Sequence, residues 1–286
     1  MRILITGSSG QLGATIAQQL SANHEPVGLD ITPGKWTQHV VNISDRETLF
    51  HLTKGMDAII HIASLHHPQL ATHSRQSFIE TNVTGTLNLL EAGMQSGIER
   101  FVYTSTTSLY GHAMASSSKA VWVTEDLQPR PRDIYDYTKI TAEKLCQRFA
   151  LQMGLSTICL RVARFFAESP ELTAVYRLYR GVDVRDAAAA HVLAVTSQQI
   201  LFDTFNIAAH SPFQESDTAQ LLQDAPAVLR RYIPEIDQIF ARHNWRFPTR
   251  IDRIYVIEKA EYGLGYQPIY NFKEFIQEYG YKTLFT

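Results

Sequence analysis

The sequence predicts an α/β protein, a doubly wound parallel sheet carrying a smaller α+β lobe at its C-terminal end. Three observations predict it. Short apolar runs alternate with helical patterns through the first half, a glycine-rich turn joins the first run to the first helical pattern, and that regularity loosens after about residue 164.

The first strand is expected at Arg2–Thr6. Leu12, Ile16 and Leu20 then recur every four residues, which puts them on one buried helical stripe. Strands follow at Pro26–Leu29, Ala58–Ile62, Phe101–Thr104 and Ser156–Arg161. Helices are expected between them at about Asp45–His51, Phe78–Met94 and Tyr137–Met153. Beyond Arg164, Asp186 is expected to cap a helix over Ala187–Val195, Thr204–Ala208 to form a further strand, and Asn271 to cap a last helix over Phe272–Tyr279. Pro226–Arg253 shows no clean periodicity, and no internal repeat or low-complexity segment is visible. The expected division is residues 1–165 for the sheet domain and 166–286 for the lobe.

Composition bounds the function. A chain of 286 residues with 45% apolar and 19% charged side chains is globular, with room for about two domains. A formal charge of −2 gives no field to attract polyanions, so nucleic acid is not an expected partner. Two cysteines without a CxxC argue against a disulfide scaffold or structural zinc, and fit a reducing compartment, the cytoplasm by default. There is no apolar stretch of about 18 residues and no signal-peptide core, so neither membrane insertion nor export is expected.

The turn Thr6-Gly7-Ser8-Ser9-Gly10-Gln11-Leu12-Gly13 follows a strand and opens a helix. Glycines there permit a tight turn and close backbone approach to a pyrophosphate, while the helix N-terminus offers unpaired N–H groups to the anion. Asp30 stands about 20 residues on, at the end of the second strand, where a carboxylate accepts from adenine-ribose hydroxyls. That charge repels a 2′-phosphate, and no arginine follows in Ile31-Thr32-Pro33, so NAD is expected rather than NADP.

Tyr135 and Lys139 are four residues apart, one turn of helix on one face. Together with the glycine loop this resembles the extended short-chain dehydrogenase/reductases, the NAD-dependent epimerase/dehydratase family that includes UDP-galactose 4-epimerase. The matching segments, in the family's order, are Thr6–Gly13, Ile60–Ser64, Asn82–Thr86, Phe101–Gly111 and Tyr135–Lys139. The resemblance implies a Rossmann domain over residues 1–165, with Thr106, Tyr135 and Lys139 as the catalytic set. It further implies a cofactor site from Gly7, Ser9, Gly10, Gln11, Leu12, Gly13, Asp30, Asn42, Ile43, Ile62, Ala63, Ser64, Asn82, Thr104 and Ser105, with Tyr135 and Lys139. Asn42 stands where relatives commonly carry Asp, so hydrogen bonding must replace charge beside the adenine. A free phenol of pKa near 10 is about three units too weak a base at neutral pH. Lysine and a positive nicotinamide would have to supply about 4 kcal/mol of phenolate stabilisation.

Departures from the family narrow the chemistry. Thr107-Ser108 follows Thr106 where 4,6-dehydratases carry Asp-Glu, so elimination is not expected. What remains is hydride transfer at a secondary alcohol or ketone of a small carbohydrate-like substrate. The alternatives are epimerisation through a transient ketone, or a dinucleotide-sensing regulatory protein. Only about 20 residues separate Val162 from Gly181, so the segment that cradles UDP in relatives looks missing, as in uronate dehydrogenases. A small, anionic substrate is inferred, with Arg164, Arg180 and Arg185 as contacts. Thr107 and His66 are placed beside it. Adjacent His66 and His67 point in different directions, so with His73 they are not expected to bind metal. In relatives the helix Phe78–Met94 and the one bearing Tyr135 form a dimer interface, and a homodimer is expected.

Overall fold

The computed structural model describes residues 1–197 and 200–282. Seven parallel strands form one sheet: β1 (Arg2–Thr6), β2 (Glu25–Asp30), β3 (His39–Val40), β4 (Ala58–His61), β5 (Arg100–Thr106), β7 (Thr157–Val162) and β8 (Phe202–Ile207). Their order is β3-β2-β1-β4-β5-β7-β8, which reverses between β1 and β4. At such a switch point the crossover helices leave toward opposite faces, and a crevice opens at the carboxyl ends of the strands.

Alternate residues feed the two faces. Ile3, Ile5, Ile60, Val102, Ile158 and Leu160 pack under helices Gln11–Leu20 and Val184–Thr196. Leu4, Ile59, Phe101, Tyr103 and Cys159 pack against the opposite layer, helices Arg46–Leu52, Gly85–Ser96 and Ile134–Met153. Both faces are covered, so the strands read as near-continuous apolar runs. Leu12, Ile16 and Leu20 are buried as one stripe, as their spacing predicts. Pro26 is tolerated in β2 because β3 pairs only with Leu29 and Asp30, leaving the start of β2 at an edge.

The helix expected at Phe78–Met94 begins at Arg75, widens into a π turn over Glu80–Thr84 and ends at Ser96 with Gly97 in the left-handed region. Asp45 caps its helix by accepting from the Thr48 N–H, as expected. The helix expected from Tyr137 starts three residues earlier, because Asp133 caps it by accepting from the Asp136 N–H. Tyr135 therefore lies in the first turn and Lys139 one turn on.

Several expectations for the second half are corrected. Asp183, not Asp186, caps the helix Val184–Thr196, accepting from the Arg185 N–H. The Asp186 carboxylate accepts instead from the backbones of Ile269 and Tyr270. Asn271 directly precedes the helix Phe272–Lys282: its carbonyl accepts from the Phe275 N–H, while its side chain accepts from the His210 N–H and donates to the Pro268 carbonyl. The stretch without periodicity holds helices Ala225–Tyr232 and Ile236–Arg242. The small strands β6 (Val121–Val123) and β9 (Arg253–Tyr255), invisible in sequence, pair in parallel. The boundary expected at residue 165 is crossed in both directions. β8 and helix Val184–Thr196 return to the sheet, while Ala120 joins the lobe core of Leu178, Phe213, Leu229, Phe240 and Ile254. Apolar periodicity marks a strand but not the sheet that accepts it.

Candidate active site

At the carboxyl ends of β1, β4, β5 and β7 lies a cavity of about 580 Å³, within the range that holds small ligands and parts of cofactors. Its floor at one end is the glycine turn. Gly7 has φ +75°, a conformation glycine adopts freely, and a Cβ there would touch the Ala63 N at 3.0 Å. A Cβ on Gly13 would fall 2.1 Å from the Gly7 carbonyl oxygen, so the helix can start this close to the turn only with glycine. Helix Gln11–Leu20 has no side-chain cap and no acid in its first turn, and Gln11, Leu12 and Gly13 line the cavity. This cradle, narrow enough to forbid a methyl group and rich in open N–H donors, fits a pyrophosphate.

The neighbouring strand end is held by buried hydroxyls. Thr6 Oγ1 accepts from the N–H groups of Ile62 and Ala63, both at 3.1 Å, and bonds His61 Nδ1 at 2.8 Å. Burial, then the nearby Lys139, pushes His61 down to about 3, so the ring is neutral and links Thr6 to Thr86. Asn82, in the π turn, grips Leu65 from both sides, accepting from its N–H at 2.7 Å and donating to its carbonyl at 2.9 Å, and also donates to Thr138. It positions the strip Ile62–Leu65 and does not itself line the cavity.

Thr106, Tyr135 and Lys139 meet at this cavity. Tyr135 is buried, and loss of water raises its phenol well above the ordinary value; a hydrogen bond with Thr106 opposes that rise, and Asp136 and Asp133 add to it. Lys139, 1% exposed, is brought down to about 7 by burial, against the pull of Glu143. Its Nζ donates to the Thr104 carbonyl at 2.9 Å and Ser64 Oγ at 3.1 Å, and lies 4.9 Å from the centre of the Tyr103 ring. The Ser105 hydroxyl, on a residue lining the cavity, turns away to donate to Glu143 at 2.5 Å. Glu143 is in turn held bidentately by Arg161. The Thr104 hydroxyl likewise faces His191.

Of the other expected residues, Gly10, His66, Thr107 and Arg164 line the cavity. The His66 ring centre is 6.2 Å from that of Tyr135, edge to face, and burial lowers its pKa to about 4. Ser9, Asp30, Asn42 and Ile43 lie outside the cavity wall. Asp30 accepts from the Ser9 and Thr32 N–H groups and so joins the glycine turn to the end of β2. Asn42 accepts from the Ser44 N–H, while Ile43 is buried against Gly85. Arg185 is not brought to the site. Its guanidinium is held by Asp183 and Glu278 and stacks 3.3 Å above the Tyr270 ring. Arg132, Met114, Phe165, Phe166, Arg253 and Tyr255 line the cavity without having been singled out. Arg132 had a local signal, a base three residues before Tyr135. Arg253 and Tyr255 had none, since they arrive on β9 from far down the chain. Among the described residues no group of three or more His, Cys, Asp or Glu side chains is arranged to hold a metal ion.

Fold and site define a doubly wound α/β protein with a pyrophosphate-type cradle beside a Thr/Tyr/Lys cluster. The chain belongs to the NAD dependent epimerase/dehydratase family, whose sequence profile matches residues 3–180. It is 27% identical over 177 residues to L-arabinose 1-dehydrogenase (NAD(P)(+)) of Haloferax volcanii, covering 56% of this chain and 66% of that protein. It is 30% identical over 162 residues to GDP-6-deoxy-D-mannose reductase of Pseudomonas aeruginosa, covering 56% and 51%. The chain thus matches from about half to two thirds of the length of such curated relatives. Among solved structures, a short-chain dehydrogenase/reductase superfamily protein from Agrobacterium tumefaciens, solved with bound NAD, superposes with TM-score 0.74 at 20% identity over 97% of this chain and 95% of that one. UDP-glucuronic acid 4-epimerase from Bacillus cereus superposes with TM-score 0.72 at 20% identity, covering 100% of both chains.

Proposed function

We propose that the protein is an NAD-dependent oxidoreductase that transfers hydride at a secondary alcohol or ketone of a carbohydrate-like substrate. One observation carries this reading: Thr106, Tyr135 and Lys139 share a cavity with the glycine cradle of Gly7–Gly13. The cradle would hold the pyrophosphate, Asp30 would accept from the adenosine ribose, and Ala63, Ser64, Thr104 and Lys139 would border the nicotinamide half. When bound, NAD supplies the hydride acceptor or donor. Thr106 hydrogen-bonds the substrate oxygen, and Tyr135 takes or returns the proton on that oxygen. Because burial keeps the phenol protonated, Tyr135 stands ready as the acid of ketone reduction. Running as a base requires a charged Lys139, and its partners Ser64 and Thr104 fix where that charge sits.

Epimerisation through a transient ketone uses the same residues, and the end-to-end likeness to an epimerase fold supports keeping it as a second reading. The two separate on absorbance at 340 nm: an oxidoreductase forms NADH in step with product, whereas an epimerase shows no net change. Tyr135→Phe tests both. It is expected to leave NAD binding nearly unchanged and to lower turnover by about 10²- to 10⁴-fold; undiminished turnover removes Tyr135 from the mechanism.

We further propose a homodimer. Ile79 and Tyr137, on the neighbouring helices Arg75–Ile79 and Ile134–Met153, are 40% and 57% exposed, and pairing those helices with a second copy would cover them. Sedimentation at micromolar concentration tests it, a monomer being the contrary result. A reducing, cytoplasmic setting accords with two buried free thiols, Cys146 and Cys159.

A further inference from the structure

Resting on the reading that this cavity receives substrate, we propose that the substrate carries one compact anionic group, a carboxylate or a phosphate monoester, and that Arg180 binds it. The charge of the wall is the first ground. Among the described residues the lining includes Lys139, Arg132, Arg164, Arg180 and Arg253 and not one Asp or Glu, although the chain as a whole has net charge −2.

Most of these cations are already neutralised from behind. Arg132 is paired with the fully buried Asp136, Arg164 with Glu168, and Arg253 with Asp252. Arg180 differs. Among the described residues its guanidinium makes no hydrogen bond or ion pair, and it lies over two rings, 4.3 Å from the centre of Tyr176 and 5.9 Å from that of Tyr179. Asp252, whose titration feels Arg180, spends both oxygens on Arg253. Stacking fixes the plane of the fork without consuming its N–H donors, which leaves them for a bidentate oxyanion.

Position separates this cation from the cofactor's phosphates. The glycine cradle follows β1, whereas Arg164 follows β7 and its backbone is bridged to Gly181. β1 and β7 are three strand spacings apart in the sheet, about 14 Å. Arg180 adjoins Gly181, and the Tyr179 carbonyl accepts from the N–H of Tyr255 on β9. The base is therefore built into the strap that closes the substrate end. Nearby, Phe166 and His66 lie edge to face, and His66 in turn faces Tyr135. A short molecule with its oxyanion on Arg180 has room for its secondary alcohol on the Tyr135 side.

The test is calorimetric titration of the NAD-loaded protein with galactose, galacturonate, galactose 1-phosphate and UDP-galactose, and with the corresponding glucose series, in wild type, Arg180→Met and Tyr135→Phe. In wild type and Tyr135→Phe, the sugar acid or sugar phosphate is expected to bind about 10- to 100-fold more tightly than its neutral parent, and Arg180→Met is expected to remove that advantage. Which of the two anions responds identifies the group. Equal affinity for neutral and anionic sugars, or an advantage that survives in Arg180→Met, overturns the proposal. Dependence on Arg180 seen with nucleotide sugars alone overturns the compact form of it. Absorbance at 340 nm and product analysis in the same wild-type samples keep the two readings apart: Arg180-dependent binding with neither NADH nor epimer formed counts against the proposed chemistry and leaves the anion site standing.

Discussion

Replacing Lys139 by Met is expected to make the protein more stable and inactive at once. Lys139 is 1% exposed and titrates near 7 in the fold, against 10.5 for a free side chain. That lowering means the fold disfavours the charged over the neutral amine by about 5 kcal/mol, at about 1.4 kcal/mol per pH unit and net of the pull of Glu143. Against it stand two hydrogen bonds, to Thr104 and Ser64, and the contact with the Tyr103 ring, about 1 kcal/mol each. Methionine fills similar volume without the charge, so the net gain at neutral pH is about 2 kcal/mol, or roughly 4 °C in melting temperature for a chain of this size. The sign with pH follows from the lowered pKa. Below pH 7 both states bind the proton and the cost is present in full. Between pH 7 and 10.5 the unfolded chain holds a proton that the native one has released, so wild-type stability rises and the variant's advantage shrinks to nothing or reverses. Urea unfolding of both proteins from pH 6 to 10, with NADH formation assayed alongside, measures this. A variant less stable than wild type at pH 6 to 7, or a difference flat across the range, would refute the claim that burial penalises this lysine.

Three further outcomes are expected. Gly13→Ala puts a methyl group 2.1 Å from the Gly7 carbonyl oxygen, so the helix must withdraw by more than 1 Å; NADH affinity measured by fluorescence should fall at least about 10-fold, and unchanged affinity would show that the cradle does not hold the cofactor. Asp30→Asn removes the charge that opposes a 2′-phosphate, and the ratio of NADPH to NADH affinity should rise by about 10-fold; tighter NADPH binding in the wild type would sink the expected preference for NAD. Arg185→Met should leave turnover intact and cost about 0.5–1 kcal/mol in urea unfolding, because its partly exposed ion pairs join Asp183 to the last helix; a loss of substrate affinity would return Arg185 to the site.

The parts of the site legible in sequence are those whose chemistry is set by short spacing. Gly7 to Gly13 spans one strand-to-helix turn, and Tyr135 and Lys139 are one helical turn apart, so local geometry brings each set together. Strands β1, β4, β5 and β7 were legible for a related reason: with both faces covered, each carries three consecutive apolar residues, Ile3–Ile5, Ala58–Ile60, Phe101–Tyr103 and Ile158–Leu160. Caps were less legible, because two acids three residues apart, Asp183 and Asp186, both suit the start of a helix. Only the packing of Ile269 and Tyr270 against Asp186 decides between them. The residues 226–253 escaped because the helices there are only eight and seven residues long, too short to repeat their apolar spacing; Val228 and Leu229 in one and Ile236 and Phe240 in the other enter a core that contacts from distant segments assemble.

The sequence by itself determined the doubly wound class, the glycine cradle and the Tyr135/Lys139 pair, because these depend on backbone conformation and side-chain spacing over a few residues; Thr106, expected from the family resemblance, is brought to that pair by the packing of helix Ile134–Met153 against β5. Tertiary structure alone decided which arginines face the cavity. Arg164, Arg180 and Arg185 look alike in sequence, yet Arg185 is neutralised by Asp183 and Glu278, Arg164 by Glu168, and Arg180 stands on the wall with no ion pair among the described residues. A charge's availability depends on what folds against it, and the acids that neutralise these arginines range from two to more than 90 residues away along the chain.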